Sequence, residues 1–451
     1  MADESSSRGL WLGLAVILVV AVAVPWIVPG PGQRHYPHRK VVRFWHVWTG
    51  DWEKVVDGIC DQFNESQTEY EVIPLSVPGD EADSKFLIAV AGDNPPDCMA
   101  QWQDVIPNWA ESKLVVPLDT LMAPDEWEHQ QKSIFPAALR IGMYKGHLYG
   151  LTVGMNVYGL YYRPDYFREA GLDPDHLPGT LEGLSAWAAK MDKVDANGNL
   201  IRVGFLPWGM RNFAPIFGGG FFDWAKGSLN LDTPENMRAL EWLTDQHERL
   251  GFDKVVRFEA SQHTASGGQG DWPFMTGAMA MDLDGQWRVQ EVKRLAPDFD
   301  YRTAPIPPPA GGRSNAGFCN GNFMVIPTSA HDVAGAWAFI KFWSGLVNPQ
   351  RAASFYTSGG WLPMNREVRD APLYQDYIRQ NPQFKTFVDL LESPNLYPIP
   401  PVPYQVYLSD RIDRMEESAC IGSVSPRQAM DRLLLEMKRE LRLRKEYGYV
   451  D

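Results

Sequence analysis

Apolar residues recur along this chain in two alternating rhythms. A β-prone run spans Val41 to Trp48, and Thr49, Gly50 and Asp51 follow it as a turn or helix cap. Trp52, Val55, Val56, Ile59 and Phe63 then share one helical face. Tyr70 to Val77 reads as a strand, Ser84 to Ala91 as a helix, and Asp97 to Trp102 as a third strand. Strand, helix, strand, helix, strand is the order of a parallel α/β sheet. Ligands on such sheets sit outside the carboxyl ends of the strands, so residues 48–51 and 102–104 mark the expected binding edge.

A second α/β segment runs from Asn156 to Phe274. Thr180 caps a helix that carries Leu184, Trp187, Ala188 and Met191 on one face. Thr233 and Pro234 open another, which Gly251 ends. A turn-rich stretch leads to a short β-prone run, Ala278 to Leu283, and a proline cluster follows at 305–309. Phe323 to Pro327 precedes a helix with Val333, Trp337 and Ile340 inward, and the last helix runs from Ser425–Pro426 to about Lys445. No internal repeat is present.

With 451 residues the chain exceeds the size at which one core keeps growing, so two lobes are expected. Its formal charge of −14 excludes nucleic acid as a partner, because phosphate binding needs a basic surface. Aromatic residues are numerous, with 17 Trp, and several of these stand at strand ends and in Gly/Pro-rich turns. A flat ring held on a loop suits stacking against the apolar face of a sugar, although core filling is the ordinary role of an aromatic side chain.

Leu10 to Val28 form an uncharged apolar run, long enough to span a bilayer as a helix. We read it as an uncleaved anchor; the alternative is a signal segment cleaved near Ala21–Val22–Ala23. Residues 1–9 would then be a cytoplasmic tail and 29–40 a Pro/Gly-rich linker. Arg8 alone precedes the run while Arg34, Arg39 and Lys40 follow it, so the positive-inside rule by itself would leave the body in the cytoplasm. Cys60, Cys98, Cys319 and Cys420 are too few for a disulfide scaffold, though one bridge, between a pair the sequence does not identify, is possible in an oxidising compartment.

Several motifs lead nowhere. A calcium loop opened at Asp195 would need Gly in its sixth place and Glu in its twelfth, where Leu200 and Leu206 stand, so Asp195–Asn199 reads as a β-turn. The histidines show no H-E-x-x-H, and neither a G-x-S-x-G elbow nor a phosphate-binding loop occurs. Gly218–Gly220 reads as a flexible turn. No cofactor and no metal site is expected.

Five stretches occur in a telling order: "FWHVWTGDWEKVVDGICDQFNES", "LIAVAGDNPPDCMAQWQDVIPNWAESKLVVPLDTL", "LYGLTVGMNVYGLYYRPDYFREAGLD", "PFMTGAMAMDLDGQW" and "FMVIPTSAHDVAGAWAFIKFW". They are spread along residues 41–370, and in this order they resemble family 1 extracellular solute-binding proteins, the receptors of ABC-type sugar importers. The region from Pro394 onward matches poorly. The resemblance implies a periplasmic binding protein-like (type II) α/β fold of two lobes, a hinge and an interlobe cleft. Lobe 1 would comprise 41–152 and 284–325, and lobe 2 would comprise 153–283 and 326–451. Crossings are expected near 153–158, near 280–285 and after Asn320. It further implies a non-enzymatic receptor outside the cytoplasmic membrane, against the charge count above. The receptor would be a monomer, tied to the membrane by the N-terminal helix and served by ABC permease subunits. Its ligand would be a carbohydrate or a glycerol-phosphate-like solute.

Carried over position by position, the resemblance nominates Trp48 and Asp51 after the first strand and Gln103 and Asp104 in "AQWQD". Asn156 stands where maltose-binding relatives have an acidic residue, which speaks against maltose itself. Trp287 in "LDGQW" matches a tryptophan that stacks on sugar. Trp208, Trp272 and Trp361, with Asn320 and Asn322, are placed near the cleft. Aromatic faces would cover sugar C–H surface, while carboxylates and amides would meet its hydroxyls. Asp104 as a helix cap and Asn156 as a local turn bond remain alternatives. Two other functions stay open: a carbohydrate-active enzyme working with two carboxylates, and the same fold holding ferric ion between tyrosines such as Tyr161 and Tyr162.

Overall fold

A computed structural model describes residues 35–265 and 272–446. They fall into two compact units: the described residues up to Met99 with Ser329–Phe339, and Ala100–Thr328 with the described residues from Ile340 onward. The expected membrane segment at 10–28 lies outside the described residues. Among those described, no helix is long and apolar enough to cross a membrane.

In the smaller unit, β1 (Lys40–His46), β2 (Tyr70–Ser76) and the first residues of β3 (Cys98–Trp102) form a parallel sheet with β1 in the middle. The helix α1 (Asp51–Ser66) starts one residue after Gly50, whose φ of 63° belongs to the left-handed region that glycine enters without a Cβ clash. It buries Val56, Ile59 and Phe63, three of the five positions expected on its inner face. The next helix, α2 (Gly79–Ala91), begins earlier than the apolar pattern predicts because Pro78, with its preset φ, stands at its N-cap. Pro74 within β2 is tolerated because β2 pairs on one side only, with β1. Phe339 closes this core edge-on against Phe44 (5.1 Å) and Phe63 (5.2 Å). Buried Asp97 ties the turn at residue 331 to β1, accepting from the backbone N–H groups of Arg43 and His331, each at 2.8 Å.

The larger unit is organised by β4 (Leu151–Tyr162), a twelve-residue strand with eleven residues buried and only Tyr158 partly open. After β4 come α3 (Leu181–Met191), β5 (Leu200–Phe205), α4 (Met210–Ile216), α5 (Pro234–Leu250) and α6 (Phe252–Ala265). They are followed by β6 (Met279–Gly285), α7 (Trp287–Leu295), β7 (Arg302–Ala304), β8 (Gly317–Val325), α8 (Val333–Ser344, of which the residues up to Phe339 belong to the smaller unit), α9 (Gln405–Cys420) and α10 (Pro426–Glu446). β4 changes partner along its length. Its first half pairs antiparallel with β8, Asn156 opposite Asn320, and its second half pairs antiparallel with β6, Tyr158 opposite Gly285. β6 in turn runs parallel to β5.

The capping signals read from sequence hold: Thr180 accepts from the N–H of Gly183, and Thr233 from that of Asn236. The Asp195–Asn199 turn is a hairpin connection, with the N–H of Gly198 donating to the carbonyl of Asp195. The stretch after Gly251, read as turns, is the helix α6; buried Val255 and Phe258, three residues apart, carry its inner face. All four cysteines are buried free thiols, so none is in a disulfide.

Packing of α3 on β5 leaves no room at Gly204, where an added Cβ would lie 2.0 Å from the carbonyl oxygen of Ala188. Gly204→Ala is therefore expected to lower stability by about 1–3 kcal/mol through overpacking, read as a lower urea midpoint. An unchanged midpoint would show that α3 can move aside.

Candidate functional site

The ends of β4 and β8, with α4, α5, α6 and α9, enclose a pocket of about 690 Å³ in the larger unit. Its aromatic wall is built on Tyr158. That ring stacks on Phe318 of β8 (5.8 Å) and receives Trp208 (6.0 Å) and Trp287 (5.7 Å) edge-on. Each such pair contributes roughly 0.5–1.5 kcal/mol beyond area burial. Trp208 is 43% exposed, yet its indole N–H donates to the carbonyl of Leu283 at 3.1 Å, so an open ring is held in one orientation. Burial, reinforced by Asp284, pushes the Tyr158 hydroxyl up to about 12, so it stays a neutral donor and acceptor.

The polar wall comes from α4 and α9. Gly209, at φ 87°, turns the chain into α4, and the Glu416 carboxylate accepts from the N–H groups of Gly209 (2.6 Å) and Met210. One residue on, Arg211 pairs with Asp413 at 2.9 Å, and its guanidinium lies 5.3 Å from the Phe318 ring centre. Arg414 pairs with Asp410 at 3.2 Å. Burial raises Glu416, the two backbone N–H groups offsetting part of the shift. Asp413 and Asp104 are also raised by burial, with Arg211 pulling both back. His247 donates from or accepts at Nδ1 with the carbonyl of Leu243 at 2.9 Å; since a carbonyl only accepts, Nδ1 carries the proton. Burial lowers the pKa of this ring and keeps it neutral. A concave, aromatic-walled chamber with a few fixed polar groups suits capture of a small polar solute.

Comparison with known proteins decides the family. The family model of bacterial extracellular solute-binding proteins matches residues 58–386. The chain belongs to this family. Among curated relatives of this solute-binding protein, the sn-glycerol-3-phosphate-binding periplasmic protein UgpB of Escherichia coli (strain K12) is 23% identical over 414 residues, covering 86% of this chain and 90% of that one. Its counterpart in Shigella dysenteriae serotype 1 shows the same figures. Among solved structures, CpMnBP1 with mannotriose bound superposes with a TM-score of 0.76 at 26% identity, covering 88% of this chain and 100% of that chain. The sugar-binding protein MalE from the phytopathogen Xanthomonas citri gives a TM-score of 0.74 at 23% identity, covering 91% and 100%. The α/β fold is that of the periplasmic binding proteins.

Of the residues nominated from sequence, Trp208 and Asn320 line the pocket. Asp104 belongs to the charge group around Arg211, and Trp287 reaches the pocket through Tyr158. Gln103 and Asn156 have structural partners: Gln103 accepts from the N–H of Gly321 at 2.8 Å, and Asn156 accepts from Gln286 at 3.0 Å. Asn322 is buried, and its carbonyl accepts from Thr152. Two tryptophans expected near the cleft lie in the interior instead. Trp272 donates to Asp282 at 2.6 Å beneath the Arg288 guanidinium, and Trp361 stacks on Trp343. Tyr161 and Tyr162 cannot share an iron, since adjacent strand residues face opposite ways. Tyr161 donates to Gly285, and Tyr162 to Pro174.

Sequence reasoning missed Tyr158, Arg211, Asn212, His247 and the acidic face of α9. That face was visible as Asp410, Asp413 and Glu417 at helical spacing within "SDRIDRMEE".

In the smaller unit, Trp48 follows β1. Its carbonyl accepts from Ser76 at 2.8 Å, and its ring lies 6.0 Å from the His46 imidazole. Asp51 pairs with Lys54 at 3.1 Å on the surface. His46 is 1% exposed, and burial lowers its pKa to about 4, a backbone bond at Trp48 offsetting part of the shift. A base whose folded pKa is depressed takes up a proton on unfolding between the two values, so stability falls as pH drops from the ordinary histidine range toward 4. The full effect is about 3 kcal/mol. Urea midpoints should fall across that interval, and His46→Gln should flatten the slope; an equal slope in both proteins would place the titration elsewhere.

Proposed function

We propose that this solute-binding protein is the extracytoplasmic receptor of an ABC importer. It captures a saccharide, or a glycerol-phosphate-like solute, in the Tyr158–Trp208–Arg211 pocket and passes it unchanged to permease subunits. The observation that carries this reading is the aromatic-walled, charge-lined pocket in a chain whose family binds extracellular solutes. The ligands of similar proteins, glycerol 3-phosphate and mannotriose, bracket the solute class.

Trp208 and Tyr158 offer faces to sugar C–H surface, Trp287 braces Tyr158 from behind, and Asn320, Arg211, Asp413 and Asp104 serve hydroxyl groups. Trp48 and Asp51, after the first strand, stay in the proposal as ligand contacts on the strength of the family resemblance. The lobes at 41–152 with 284–325 and at 153–283 with 326–451 would close by hinge motion, driven by the extra contacts of the closed form. The apolar run at 10–28 would tether the receptor to the outer face of the cytoplasmic membrane.

A ligand bound only by the native state raises its melting temperature, so a thermal-shift screen of the soluble body against saccharides and polyol phosphates identifies the class. Trp287→Ala should weaken the hit by about tenfold, the loss of one aromatic contact. Full affinity in that variant would remove the bracing role, and release of reducing sugar during incubation would mark an enzyme instead of a receptor.

A further inference from the structure

The pocket's charge is lopsided. Five carboxylates line it against two guanidinium groups. Both guanidinium groups are engaged, Arg211 with Asp413 and Arg414 with Asp410. His247, whose pKa burial lowers against the opposing bond to Leu243, adds no positive charge. Burial raises both Asp413 and Glu416, because their charged forms lose water there, with Arg211 pulling each back.

A second observation is independent of charge. Asn212, 3% exposed, lines the same pocket and leaves its side-chain oxygen without a hydrogen-bond partner. The side-chain oxygen of Asn320 is buried and unpartnered as well. A buried acceptor without a donor costs about 1–3 kcal/mol. A phosphate ester would bring more acceptors and two negative charges to this wall. A ligand rich in N–H and O–H donors, carrying positive charge, supplies what the wall lacks.

We infer that the pocket selects a saccharide bearing a protonated amine, an amino sugar, over both neutral sugars and polyol phosphates. The inference rests on the receptor function proposed above and narrows its ligand class. The sugar ring lies against Trp208 and Tyr158, as any saccharide would. Its ammonium group is directed to the acidic face of α9, where charge-assisted hydrogen bonds are about twice as strong as neutral ones.

The test is calorimetric titration of the soluble body with the glucosamine disaccharide, its N-acetylated form, the corresponding glucose disaccharide and sn-glycerol 3-phosphate, at a pH that keeps the amine protonated. The expected result is about tenfold tighter binding of the amine than of its N-acetylated form, the worth of one added charge-assisted contact. In Asp413→Asn that ratio should shrink toward one; because it compares two ligands on one protein, a partial folding defect cancels. Neutral saccharides bound as tightly as the amine, or glycerol 3-phosphate bound more tightly than any sugar, would overturn the amine preference and leave the receptor intact. No binding of any of the four would overturn this inference, and a blank thermal-shift screen beside it would remove the receptor reading too.

Discussion

The site depends on one strand that serves two pairings. β4 is buried along nearly its whole length, and every backbone group of a buried strand needs a partner. It meets that demand with β8 over its first half and with β6, joined by β7 at Leu160–Tyr162, over its second. Where the partners change, the strand's side chains are least enclosed, and Tyr158 stands there. Trp287 and Phe318 gather on that ring because β6 ends and β8 begins close to the change of partner, and Trp208 is held there by its bond to Leu283 of β6. Gln286 secures it, donating to the carbonyl of Met155 and accepting from the N–H of Val157 across the start of α7.

Electrostatics complete what the strands begin. α4 is a short helix whose first N–H groups would be orphaned in a buried setting. Glu416 satisfies two of them from α9 and so couples the helix carrying Arg211 to the helix carrying Asp413. A single carboxylate therefore orients both partners of the pocket's central ion pair. The same arrangement concentrates acids on one wall, because Asp410, Asp413 and Glu417 recur at the spacing of one helical face. Structural support and ligand preference thus have a common origin in α9.

Much of the architecture was legible along the chain. β-prone apolar runs located β1, β2 and β3 to within a few residues, and side-chain caps at Thr180 and Thr233 marked their helices because those signals are local. Among the helices that escaped are α4, α7, α6, whose start is hidden by Gly251, and α9, which lies beyond the stretches of family resemblance. The candidate residues divided along a physical line. Trp208 and Asn320 line the pocket, whereas Trp272 and Trp361 went to the interior. A tryptophan's burial is set by what packs over it, and a one-dimensional pattern does not carry that information.

By itself, then, the sequence determined the α/β order, the family, the exclusion of nucleic acid and the aromatic wealth from which a sugar-like site could be built. The family follows from five stretches in a shared order, and the other properties from periodicity, composition and charge, each additive along the chain. Tertiary structure alone decided that Tyr158 is the ring around which the wall assembles and that Arg211 already has a carboxylate partner. It also decided that Gln103 and Asn156 serve the backbone and Gln286, and that Asn212 keeps an unmet acceptor. Such facts depend on which groups, hundreds of residues apart in sequence, come within hydrogen-bond distance in space, and only packing settles that.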